Sequence, residues 1–454
     1  MDKNYVSTLI NKITSYTKHY AVVNIEGQTE GVTRFANSEI SQNINKQDLN
    51  VYLTLHDGKK EATGVTNVLD DDALKKLVHN TESLLQVTPA GDFAKFDWEI
   101  PDLADFADKK SAKSAKNSEN LAEIYDVKGR AEVIKEGVSS LGSDFSAAGA
   151  ITLTNTIVAY GNSDSKTDIL FANLDNVTFN TVVTNIAANS DGGGEAVSHK
   201  ANGLDKAIQA AFKQAKDRSV LAANPITLTD KRFAVVLSPA ALGDLVFYIT
   251  WSLNGKRVID GLSFCGTKLP KEQIFGKNVS IYDDVSNPKL FPLYFDYEGN
   301  KRQSLPLIEK GVVKNLLLDN KTAQKLNMHP TGHAHSNQGY GGYSSNTVMQ
   351  GGDNLQPPTQ ADIIKGVTKG LFISEFHYSN FVNPATMLVT GLTRNGTFLI
   401  EDGEITKSVA NMRFTQNIID AFNNISALSK DLQLTNSIGA ALMPSAKIEG
   451  FCFP

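Results

Sequence analysis

Cysteine is almost missing: only Cys265 and Cys452 occur in 454 residues. Two thiols cannot staple a chain of this length into a disulfide scaffold, and their scarcity fits a reducing compartment. Long apolar runs are missing too. No stretch of about 18 apolar residues is present to span a bilayer. The opening MDKNYVSTLINKITSYTKHY lacks the apolar core and small-residue cleavage site of a signal peptide. A cytoplasmic protein with no membrane partner is the expectation. Basic charge is in deficit, with 44 Lys and Arg against 49 Asp and Glu and a net charge of -5. A chain with no basic cluster is a poor match for phosphate neutralisation, so no nucleic-acid partner is expected. Neither a Gly-x-Ser-x-Gly elbow nor a Walker-type phosphate loop appears. None of the eight histidines is followed by glutamate, so no zincin-type motif is hidden in the chain.

What is present is a folded composition, 41% hydrophobic and 20% charged, in a chain long enough for two or three domains. Val6, Ile10 and Ile13 recur at helical spacing. Leu49, Val51, Leu53 and Leu55 alternate with polar residues as in a half-buried strand, and His56-Asp57-Gly58-Lys59 follows as a turn. Asp70-Asp71-Asp72 precedes Leu74, Leu77 and Val78, an acidic helix start. The polar, proline-bearing stretch after Val87 changes character. Beyond it the pattern predicts a helix near 120–139, strands over 150–160 and 167–186 joined at Asn162-Ser163-Asp164, a flexible loop at Ser190-Asp191-Gly192-Gly193-Gly194, and a helix over 203–219. Phe233 to Leu237 reads as a short buried strand, and Leu242, Leu245, Ile249 and Leu253 mark one face of a helix that begins after Pro239. After Asn287, strands and glycine turns dominate. A helix at about 415–428 interrupts them, and Lys447 to Phe453 is the last strand.

The expected fold class is α+β. An N-terminal α/β region of antiparallel strands and helices covers 1–88, and a linker or surface excursion covers 89–118. A central α/β region spans 119–224, and a C-terminal strand-rich domain, barrel-like or sandwich, spans 225–454.

Several segments carry a family likeness in a consistent order. They are Thr33-Arg-Phe-Ala-Asn-Ser-Glu-Ile-Ser-Gln42, Val158-Ala-Tyr-Gly-Asn-Ser163, Phe295-Asp-Tyr-Glu-Gly299 with Leu307-Ile-Glu-Lys-Gly-Val312, Thr331-Gly332, and Gly391 to Asp402 with Gly403-Glu404-Ile405. With these blocks the chain resembles the TldD/PmbA (TldE) metallopeptidase family along nearly its whole length. Asp164-Ser165 departs from the family's glycine-bearing turn. Each block also has a plain reading as turn chemistry; Asp402-Gly403 between apolar runs is a hairpin in its own right.

The resemblance implies a zinc site that this chain does not carry. Catalytic relatives hold zinc with a His-Glu-x-x-x-His helix, whose glutamate handles protons for a metal-activated water, and with a cysteine from a late loop. The equivalent helix here, Pro239 to Gly255, contains no histidine and no glutamate. Asp244 and Tyr248 stand at the two ligand positions and Leu245 at the glutamate position. The stretch Lys430 to Pro444 has no cysteine, and Cys452 beyond it reads as a buried, inert thiol. Cys265, in Ser-Phe-Cys-Gly with no adjacent histidine, reads as structural.

One histidine cluster stands apart: His329, His333 and His335 in MHPTGHAHSNQGYGG, with His377 later. A His-x-His pair on a strand would face one side as metal ligands, but the glycine-rich setting reads as a loop. Thr331, Gly332, His333 and His335 are therefore candidates for a mobile loop lining a peptide groove, with a solvated surface loop as the alternative.

Three functions follow. The first is a non-catalytic, PmbA/TldE-like subunit of a cytosolic protease acting on unfolded or leader peptides, partnered by a TldD-type catalytic paralogue. It would have no cofactor of its own, any zinc residing on the partner subunit. The second is a homodimeric peptide-binding protein, and the third a hydrolase with a metal site rebuilt from His333, His335 and His377. An older family label, modulator of DNA gyrase, implies a role in DNA topology that the acidic balance does not support.

Overall fold

The computed structural model describes residues 1–91, 121–164, 169–336, 339–352, 357–436 and 440–454. Helix α1 (Lys3–Ser15) opens the chain, with Val6, Ile10 and Ile13 fully buried and Asp2 capping its first turn. Strands β1 (Tyr20–Ala36) and β2 (Glu39–Asp57) form a long hairpin closed by Asn37 and Ser38. Both turn residues take positive φ, 51° and 63°. Two left-handed residues match the twist of the flanking strands, which explains Asn-Ser at this point of the family-like block. After β3 (Lys60–Thr66) comes α2 (Asp71–Val87), whose N-cap is Asp70. Residues 92–120, most of the expected linker, lie outside the described residues. The chain continues with α3 (Leu121–Ile124), α4 (Val127–Ser139), β4 (Phe145–Asn162), β5 (Leu170–Asn185), β6 (Ser190–Ser198) and α5 (Leu204–Leu221).

These strands make one antiparallel sheet ordered β3-β2-β1-β4-β5-β6, so strands from the 1–88 and 119–224 stretches are woven together. Ala21, Val23 and Ile25 of β1 pack beneath α1 and α2. Phe35, on the same face by strand alternation, joins a second core with α4 and α5.

The glycine run at 190–194 is not the flexible loop its composition predicts. It is strand β6, and Gly192, Gly193 and Gly194 are buried. A Cβ on Gly192 would stand 2.2 Å from the Ala215 carbonyl oxygen, and one on Gly194 would stand 2.1 Å from that of Ala211. The glycines therefore let helix α5 lie directly on the strand backbone.

The second half begins with β7 (Arg232–Leu237), α6 (Pro239–Ser252), α7 (Gly255–Ile259) and β8 (Ile281–Asp283). It continues through β9 (Leu305–Glu309), β10 (Val312–Val313), α8 (Asn320–Leu326), β11 (Thr347–Met349), α9 (Gln360–Lys365), β12 (Lys369–Asn383), β13 (Leu388–Glu401) and β14 (Glu404–Ser408). It ends with β15 (Arg413–Asn417), α10 (Ile418–Asn423), β16 (Ile425–Leu428), β17 (Gln433–Thr435), β18 (Ala441–Met443) and β19 (Ala446–Cys452). Two mixed sheets result, β10-β9-β8-β11-β18-β17 and β14-β13-β12-β7-β19-β16, with β15 added beside β13. Neither closes into a barrel among the described residues. One apolar core joins α6 to both sheets, through Leu242, Leu245 and Ile249 with Ile281, Ile308, Leu371 and Ile373.

The Lys310-Gly311 and Asp402-Gly403 turns take positive φ, as hairpin turns of this kind require. Two helices differ from their sequence reading. The expected helix at 415–428 shrinks to α10, because Ile425 to Leu428 pairs with β19. The helix from Pro239 stops at Ser252, because Asn254 accepts the Lys256 and Arg257 N–H groups and starts α7. The short helices α8 and α9 break a stretch that reads as strands and turns.

Candidate functional site

Helix α6 starts where β7 ends. Ser238 caps it, accepting from the Ala241 N–H at 3.2 Å, while its hydroxyl donates to the Ser374 carbonyl at 2.5 Å. The cap fixes the helix against β12, and the helix also packs on β17 and β18. Those two strands belong to the Lys430–Pro444 stretch, where catalytic relatives would place their cysteine.

Leu245 is fully buried in the core. Asp244 is half-buried and Tyr248 nearly buried, one turn apart on the same side. Burial first, and then the nearby Asp244 charge, push the Tyr248 phenol up to about 12. The two-ligand reading of this pair needs one correction. In His-Glu-x-x-x-His the second histidine stands five positions after the first, so Asp244 at the first position puts Ile249, not Tyr248, at the second. Ile249 is fully buried in the core. Aspartate, leucine and either tyrosine or isoleucine do not make a zinc-binding donor set.

Helix α6 instead builds an aromatic cleft. An open cleft of about 570 Å³ is lined by Phe247, Tyr248 and Trp251 of the helix, by His335, Tyr340 and Tyr343 of the loop between α8 and β11, and by Ser379 and Asn380 of β12. Phe247 and Trp251, four residues apart, stack at 5.3 Å, and Phe381 meets the Tyr248 ring edge-on at 4.7 Å. Arg257 of α7 lies 4.2 Å over the Trp251 ring and 5.4 Å from that of Phe381. Beyond Ile373, β12 pairs only with β13 among the described residues, so its other edge runs open beside the cleft.

The histidine cluster divides. His333 is 2% exposed and so does not sit on a solvated loop. Its Nδ1 donates to the Thr331 carbonyl at 2.7 Å, and its Nε2 stands 3.2 Å from Asp283 Oδ1. Asp283 also binds Arg302 at 2.7 Å and accepts from the Ser344 hydroxyl and the Ser345 and Asn346 N–H groups. Burial alone would raise this carboxyl, but Arg302 and His333 hold it well below the usual carboxylate range.

Thr331 and Gly332 serve the backbone. The Thr331 hydroxyl accepts from the Leu318 N–H at 2.9 Å. Gly332 has φ of 72°, and a Cβ there would stand 2.1 Å from the Lys301 carbonyl oxygen. Of the four loop candidates His335 lines the cleft, its ring 5.1 Å from Tyr340 and 5.6 Å from Tyr343. Burial lowers the pKa of its imidazole.

His329 is exposed, and His377 lies beside Arg394 on β12 and β13. His333, His335 and His377 thus have three separate settings. No group of three His, Cys, Asp or Glu side chains is arranged to hold a metal ion among the described residues. Cys265 is 3% exposed and burial pushes its thiol up to about 12, far from a thiolate nucleophile. Cys452 is half-buried rather than buried, at the end of β19.

The sequence reading named Tyr248 and His335 but missed Phe247, Trp251, Tyr340 and Tyr343 of the cleft, and the Asp283–Arg302 pair. The i, i+4 spacing of Phe247 and Trp251 was the available signal. Tyr340 and Phe381 are distant in sequence and gave none.

Residues 230–453 match the family described as the PmbA/TldA metallopeptidase C-terminal domain. The chain belongs to the TldD/PmbA family. A protein of Methanothermobacter thermautotrophicus described as a metalloprotease is 23% identical over 63% of this chain and 65% of its own length. The metalloprotease PmbA of Escherichia coli O157:H7 is 27% identical over 34% of this chain and 32% of its own length. The chain therefore spans less than two thirds of these curated relatives. Solved structures match from end to end. TldE from Thermococcus kodakarensis superposes with a TM-score of 0.80 at 17% identity, covering 98% of this chain and 99% of that one. A Thermotoga maritima protein gives 0.81 at 19% identity over 100% of both chains. At such identities the likeness speaks for the fold alone.

Proposed function

We propose that this TldD/PmbA-family chain is the non-catalytic, PmbA/TldE-like subunit of a cytosolic protease that acts on unfolded or leader peptides, with zinc carried by a TldD-type paralogue. The observation that carries the reading is helix α6. It keeps its place between β12 and the β17–β18 strands, yet offers Asp244, Leu245, Tyr248 and Ile249 where a zinc helix needs histidines and a glutamate. The open edge of β12 beside an aromatic cleft supports a role in holding an extended peptide, through strand addition for the backbone and ring contacts for side chains. Asp244, Tyr248 and His335 then belong to a peptide-holding surface, while Thr331, Gly332 and His333 hold the loop that presents it.

Co-expression with a His-Glu-x-x-x-His paralogue tests the proposal. The expected outcome is a stable complex that cleaves unfolded peptides, with no cleavage by this chain alone. A stable homodimer that ignores the paralogue and still binds peptides would favour the homodimeric peptide-binding protein instead.

A further inference from the structure

Next to the cleft beside α6 stands one cation, Arg257, that has no ion pair among the described residues. Arg257 is half-buried, its guanidinium laid against Trp251, a ring of the cleft wall, and near Phe381, which packs on Trp251. Its Nε is buried with no hydrogen-bond partner. No ion pair to its guanidinium occurs among the described residues; the nearby Asp260 carboxylate is engaged by Lys256 at 2.7 Å. Burial disfavours its charge, opposed in part by Tyr340 and Asp260. A desolvated cation without a bonded anion is costly unless something supplies one. A stacked guanidinium still presents its planar fork to a carboxylate. Ser379, on the open edge of β12, also lines the cleft with a buried hydroxyl that lacks a partner.

We propose that the cleft binds the C-terminal residue of a peptide, with the free α-carboxylate on Arg257 and an aromatic or large apolar side chain among Phe247, Trp251 and Tyr340. This inference rests on the peptide-holding role and adds the end of the peptide that is held. The wall favours a terminus over an internal Asp or Glu. A C-terminal residue brings its carboxylate and an apolar side chain from one Cα, whereas an acidic side chain would leave the rings unfilled.

The test uses the purified full-length chain and fluorescein-labelled unstructured peptides ending in Phe or Leu, each as the free acid and as the C-terminal amide. Fluorescence anisotropy reads binding. The free acid is expected to bind at least about tenfold more tightly than the amide, the scale of one charge-assisted contact. That preference collapses in Arg257→Gln and partly survives in Arg257→Lys. Equal binding of acid and amide by the wild type overturns the carboxylate assignment and leaves peptide holding intact. Free-acid peptides with an internal Glu and a C-terminal Gly that bind as tightly as the Phe-ended ones overturn the terminal-residue assignment. If no peptide of either kind binds, the peptide-holding role fails and this inference fails with it. The acid-to-amide comparison is made within the wild type, so a variant that folds poorly does not weaken it.

Discussion

His333 and His335 are two residues apart, and they sit in opposite kinds of surroundings. His333 enters a closed polar core in which Asp283 is met by Arg302, Ser344 and two backbone N–H groups. His335 turns to an open cleft of rings lined by Ser379, with Arg257 behind the Trp251 ring. The contrast teaches how to sort polar residues in this fold. On the first side Arg302 and His333 face the Asp283 carboxylate as ion pairs and hold the structure, even though His333 Nε2, Arg302 Nε and Asn346 Oδ1 make no hydrogen bond; on the second a cation without an ion pair among the described residues stands beside open rings, a surface suited to a ligand.

Breaking the closed side should have the largest effect. Asp283→Ala leaves Arg302 buried without its carboxylate and is expected to cost about 3–5 kcal/mol in urea unfolding, the usual result of removing one member of a buried pair. A loss below about 1 kcal/mol would erase the distinction between the two regions. Next comes the histidine pair itself. His333→Ala should cost about 1–3 kcal/mol by leaving the Thr331 carbonyl and Asp283 underbonded. His335→Ala should stay within about 0.5 kcal/mol in stability and weaken peptide binding instead. Matched losses in both variants would contradict the contrast.

Titration sharpens it further. The Asp283 carboxyl is depressed in the folded chain, so its contribution is complete above the unfolded carboxyl range near pH 4 and fades as the pH falls below it. Urea midpoints taken from pH 6 down to pH 3 should therefore fall more steeply for the wild type than for Asp283→Asn. The smallest effect, of opposite sign, belongs to Glu26 on β1. Burial pushes this carboxyl up to about 7, so ionising it works against the folded state as pH rises from about 4.5 through 7. Glu26→Gln should be slightly more stable than the wild type at pH 8 and match it below pH 4.5; a variant less stable at pH 8 would refute this.

Much of the fold could be read in the sequence because the deciding signals were local. Asp70 before an apolar-periodic run, Gly311 and Gly403 at reversals, and the alternation of Leu49 to Leu55 each act within a few residues. The glycines of β6 misled, since their reason lies in helix α5, about twenty residues further on in sequence and touching them only in space. Ile425 to Leu428 looked helical for a similar cause; its strand partner β19 lies about twenty residues further on and meets it only in the folded sheet. The site was legible in what it lacks, because absent histidines need no fold to be seen. Its constructive part was not. Trp251, Tyr340 and Phe381 meet only after α6, the loop to β11 and β12 are assembled, and nothing in the sequence marks Arg257 as the cation among them.

The central claim is that this chain contributes structure and peptide holding while a zinc-bearing relative does the chemistry. Native mass measurement of the co-expressed pair, with zinc quantified in the same preparation, tests it most directly. The account predicts an assembly containing both chains, whose zinc disappears when the histidines of the paralogue's motif are replaced and persists when His333 and His335 of this chain are replaced. A homo-oligomer of this chain alone carrying stoichiometric zinc, lost in the His333→Ala/His335→Ala double variant, would contradict it.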